Sequence, residues 1–98
     1  MAISLAIQQH LEKAGLVEYF DKHEKHWKAL AKKSHDFIQN NFPADYDVHQ
    51  EDVCKALIIL IEVNDLTNDY LNANKLKEKY WLKYFSDYIL DQCWKEIH

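Results

Sequence analysis

Neither glycine nor proline occurs between Asp47 and His98, and that stretch contains the most apolar run of the chain, residues 53–63 (VCKALIILIEV). A strand-rich fold needs many turns, and turns draw heavily on glycine and proline. This chain has one of each, Gly15 and Pro43. A short apolar run can be a buried strand or a buried helix, so its surroundings decide. Leu66, Tyr70 and Leu71 continue the pattern at helical spacing, and Asp47 followed by Gln50 reads as a capping box. The spacing predicts one helix over residues 48–71, about 35 Å long. Residues 57–61 are apolar without interruption, and a helix apolar on all sides is expected to be surrounded by others. The uncharged part, residues 56–61, falls far short of the ~20 residues that span a bilayer.

The flanking segments fit helices of their own. Ile3, Ile7 and Leu11 recur every fourth residue in 2–14. Gly15 then reads as a left-handed glycine just past a helix end, with Leu16 folding back. Residues 16–40 carry a stripe of Leu16, Tyr19/Phe20, His23, Trp27, Leu30/Ala31, Ser34 and Phe37/Ile38, which predicts one continuous second helix. Pro43 closes it, in the loop NNFPADYD. LNAN (71–74) is the exit of the third helix, and the fourth covers 75–97. The expectation is an all-α fold: one domain over 1–98, a compact bundle of about four helices, largely antiparallel up-down. A hairpin turn at Ala73/Asn74 would set Cys54 level with Cys93, and His49 level with His98.

Composition narrows the function classes. At 98 residues the chain suffices for one core. The formal net charge is −4, and all 12 basic residues are lysine. Without arginine the planar fork that grips phosphates and guanine edges is missing. The two cysteines form neither a C-x-x-C motif nor a disulfide framework. The opening MAISLAIQQHLEK has no basic segment followed by a long apolar one, so a cytoplasmic protein without a signal peptide is expected.

Motifs that could carry chemistry fail on spacing. HEKH places His23 and His26 three apart, whereas a zinc-protease helix needs histidines four apart with glutamate beside the first. No Glu-x-x-His pair for a di-iron bundle exists. His49/Cys54 and Cys93/His98 are five apart, about 140° round a helix. With a single glycine there is neither a phosphate-cradling loop nor a nucleophile elbow. No enzyme and no cofactor are expected, and His23/His26 remain as a minor metal-binding alternative. Lys22, Lys25, Lys28, Lys32 and Lys33 line one face of the second helix, joined by Lys75, Lys77, Lys79 and Lys83 on the fourth. They offer a nucleic-acid alternative, against which the acidic balance argues.

The fourth helix holds more apolar residues than one face accommodates. Leu82, Phe85, Ile89 and Cys93 suit a core stripe. Tyr80, Tyr84 and Tyr88 form a second row beside Trp81. Tyrosine and tryptophan combine an apolar body with a polar tip and are enriched at interfaces. The row either packs beneath the first helix or binds a partner. The expected function is a small non-enzymatic protein–protein interaction module (inhibitor, immunity protein, adaptor or accessory subunit), self-associating as a two-fold dimer through Tyr80, Trp81, Tyr84 and Tyr88.

Overall fold

The structure, a computed structural model, describes residues 4–64 and 79–97. The described residues form helices and connecting turns only: α1 (Leu5–Lys13), α2 (Leu16–Lys22), α3 (Glu24–Asn41), α4 (Gln50–Val63) and α5 (Lys79–Ile97). The all-α expectation is met, with five helices rather than four among these residues. The exit LNAN, the turn at Ala73/Asn74, Lys75, Lys77 and His98 lie outside them.

Helix α1 begins where Ser4 Oγ accepts the Ile7 backbone N–H at 3.3 Å. It ends at Gly15, whose φ of 77° lies in the left-handed region that a Cβ disfavours. Leu16, the next residue, turns back into the core and is buried. This junction matches the sequence reading.

The predicted helix over 16–40 is interrupted at His23, which has φ −126° and ψ 35°. Its N–H is shared between the Tyr19 and Phe20 carbonyls, closing α2, while its carbonyl accepts the Trp27 N–H to open α3. Packing explains the break. In a straight helix, residues eight apart are separated by about 12 Å along the axis. Here the Tyr19 and Trp27 ring centroids are 5.5 Å apart, edge to face. The bend folds Tyr19 onto Trp27, and both are buried.

The predicted start at Val48 shifts by two residues, to Gln50. His49 is the N-cap of α4, without a side-chain cap bond. Val48 and Val53, at the two positions of a hydrophobic staple, are both buried and fix the entry. Glu51 and Asp52 supply negative charge to the first turn, and Tyr46 donates its hydroxyl to Asp52 Oδ2 at 2.8 Å. The helix ends at Val63, where Asn64 is extended (φ −90°, ψ 123°); residues 65–71 of the predicted helix lie outside the described ones.

Helices α3, α4 and α5 pack against one another, α1 packs on α2 and α5, and α2 bridges α1 and α3. The core is one cluster containing Leu11, Leu16, Trp27, Leu57, Ile61, Phe85 and Ile89. The expected core stripe of α5, Leu82, Phe85, Ile89 and Cys93, is buried throughout. Gly15→Ala places a Cβ at the left-handed position and is expected to lower unfolding free energy by about 1–2 kcal/mol, read as a reduced urea midpoint at unchanged slope.

Candidate functional site

Among the described residues, helix α4 is not wrapped on all sides. Its neighbours α3 and α5 cover Val53, Cys54, Leu57 and Ile61, the inward residues at helical spacing. Ile59 points away and is 62% exposed. Across from it on α3, Phe37 is 59% exposed. Between them lies a groove of about 190 Å³ lined by Lys33, Ser34, Phe37, Ala56, Ile59 and Leu60. Ala56 is small, which keeps the groove open. Ser34 is buried and gives its hydroxyl to the Leu30 carbonyl at 2.9 Å, so it offers the groove no free donor. Phe37 was expected on the inward stripe of its helix. The structure buries Ser34 and half-buries Ile38 of the same stripe, as the spacing predicts, but turns Phe37 outward.

The aromatic row of α5 is divided. Tyr88 is 6% exposed and stands edge-on to Phe20 of α2, with centroids 5.4 Å apart. Burial raises its pKa, with Asp21 and Glu12 adding to the effect. Trp81 and Tyr84 are half-buried against the core, and Trp81 meets His10 of α1 edge to face at 6.3 Å. Of Tyr80 the structure describes only the helical backbone. Sequence reasoning missed the α3–α4 groove. The signal was present: residues 57–61 overfill one helix face just as the α5 residues do.

Three of the five lysines expected on one face are ion-paired. Lys22 pairs with Glu18 at 3.5 Å and Lys32 with Asp36 at 3.6 Å. Lys28 sits between Glu24 (2.9 Å) and Glu96 (3.2 Å), whose hydrogen bonds raise its pKa. Lys25 is exposed on the same helix, and Lys33 belongs to the groove. The face therefore presents no unbroken positive stripe to a phosphate backbone.

His23 and His26 are separated in role by the bend. His23 caps α3 and lies 4.9 Å from the Tyr19 ring, and His26 lies 4.8 Å from the Trp27 ring. Among the described residues no group of three or more His, Cys, Asp or Glu can hold a metal ion.

No protein-family model, curated protein or solved structure matches this chain.

The cysteines are buried free thiols. Cys54 donates its thiol to Asp87 Oδ1 at 3.1 Å, which sets it beside a residue six positions before Cys93. Cys54 therefore lies level with Asp87 rather than with Cys93. Cys93 donates instead to Ile89 O of its own helix at 3.2 Å. Burial, then the Asp87 hydrogen bond, pushes the Cys54 thiol up to about 12. Burial raises Cys93 to about 11. Neither thiol is activated as a nucleophile. Among the described residues no helix is long and apolar enough to cross a membrane.

Two outcomes follow for α5. Tyr88→Ala removes a buried ring and is expected to cost about 3 kcal/mol or more, measured by denaturant unfolding. Both thiols should resist alkylation at pH 8 until the chain unfolds. Because their folded pKa values exceed the ordinary 9.0, their contribution to stability is intact below pH 9 and lost as pH rises toward 11–12. Calorimetric melts of the wild type and of Cys54→Ala across that range check the sign.

Proposed function

We propose that this chain is a small non-enzymatic protein-binding module whose docking surface is the α3–α4 groove. The observation that carries the reading is the pair of large apolar side chains, Phe37 and Ile59, held outward on either side of an apolar groove that no described element covers. Singly exposed apolar residues are ordinary, but a contiguous pair lining a concave surface marks an interaction site. Both sit on long helices whose inner faces are anchored in the core, so the surface is held rigid before binding.

The aromatic row of α5 supports this reading indirectly. Tyr88 already rests on Phe20. Self-association through this helix would fall to the half-buried Trp81 and Tyr84, which offer less surface than the four-residue row anticipated from sequence. The bundle is proposed as an antiparallel packing of α3, α4 and α5 that serves to display the groove.

Ile59→Asp and Phe37→Asp separate the groove from the fold. Both positions are exposed, so helicity and melting temperature should stay near wild type. Affinity capture from lysate of the source cells, read by mass spectrometry, should lose its specific partner with either variant. A partner retained equally by wild type and both variants would overturn the reading.

A further inference from the structure

Resting on that reading of the groove, we infer that its occupant is an amphipathic helix of another protein, with acidic residues beside its apolar stripe. Size sets the first limit. A cavity of ~150 Å³ holds a benzene molecule, so a groove of about 190 Å³ admits one bulky side chain of the partner. The lining runs over Lys33–Phe37 of α3 and Ala56–Leu60 of α4, about one helical turn each. A ligand helix seats one anchor there and lays the residues a turn before and after it on Phe37 and Ile59.

Backbone chemistry selects a helix over an extended peptide. The groove walls are helices whose backbone groups are already bonded within them, and Ser34 Oγ is committed to Leu30 O. No sheet edge is present among the described residues to pair with a strand. An extended ligand would bury N–H and C=O groups without partners, whereas a helix satisfies its own.

Charge selects the sign of the partner. Lys33 borders the groove one turn before Phe37, and Lys55 lies one turn before Ile59 on the same exposed face. Neither lysine pairs with an acid among the described residues, unlike Lys22, Lys28 and Lys32. The nearest acid on α3, Asp36, is engaged by Lys32 at 3.6 Å. A second copy of this chain is a poor occupant. A two-fold contact sets a patch against itself, and the groove lining, which includes Lys33, holds no acid to offer in return. Acidic flanks on a different helix meet both cations.

The test is selection from a phage-displayed library of randomised helical peptides on the full chain, with variants as controls. Enriched peptides should carry apolar residues three or four apart flanked by Glu or Asp. Their affinity should fall at least about tenfold with Lys33→Glu/Lys55→Glu, fall less with the Gln pair, weaken with salt, and vanish with Ile59→Asp. Circular dichroism confirms that each variant folds. Peptides that need Ile59 but show no acidic bias, or bind the lysine reversal equally, overturn the charge assignment and leave the groove standing. Failure to enrich any Ile59-dependent peptide overturns the helical occupant. So does sedimentation of the wild type as a dimer that Ile59→Asp dissociates. So does binding to phosphatidylserine vesicles that the lysine reversal abolishes, which would place a lipid surface there instead.

Discussion

A helix that is apolar round most of its circumference needs neighbours on every side, and among the described residues α4 packs chiefly against two, α3 and α5. Helices α3 and α5 cover the side that carries Val53, Leu57 and Ile61. That buried contact is the centre of the cluster, since residues of α1, α2, α3 and α5 are continuous with it. Ile59 is left on the uncovered arc. The groove is therefore a geometric remainder of the same apolar run that makes the core, with Phe37 as its opposite bank.

The bend at His23 decides how the rest of the chain reaches this centre. Trp27 is fully buried and meets Tyr19 and Phe85 edge to face, with centroids 5.5 and 5.0 Å apart. Edge-to-face rings at such spacings gain electrostatic energy beyond the area they bury. A straight helix would carry α2 past the core and leave Tyr19 and Phe20 in water. By bending, the chain places Phe20 over Tyr88, so one member of the α5 row is covered while Trp81 and Tyr84 stay half-buried.

What could be read from residues alone was local or periodic. The left-handed Gly15 was legible because one residue type answers one backbone requirement. The stripe Leu82, Phe85, Ile89 and Cys93 was legible because its spacing admits one inward face. The break at His23 was not, since neither glycine nor proline marks it; contacts between Tyr19 and Trp27 override a good helical pattern. The start of α4 was misplaced because a carboxylate at 47 and a glutamine at 50 look like a cap, while burial of Val48 fixes the true entry. Overfull faces were visible on both α4 and α5, but which of them finds cover is a property of the assembled helices.

That last distinction turns on small residues as much as large ones. On α5, Ser86 is fully buried beside Leu82, Phe85 and Ile89, on a face that finds cover. On α4, Ala56 stands across from Phe37 and lines the groove between the two helices. A leucine at 56 would reach into the groove and bury against Phe37 within the chain itself, adding stability of the order of a buried side chain. The methyl group leaves that area in water. With Lys33 and Lys55 outside every ion pair among the described residues, the same gap suits the proposed second helix in shape and charge. A partner that filled it would recover, at the moment of binding, the burial that α4 lacks when alone.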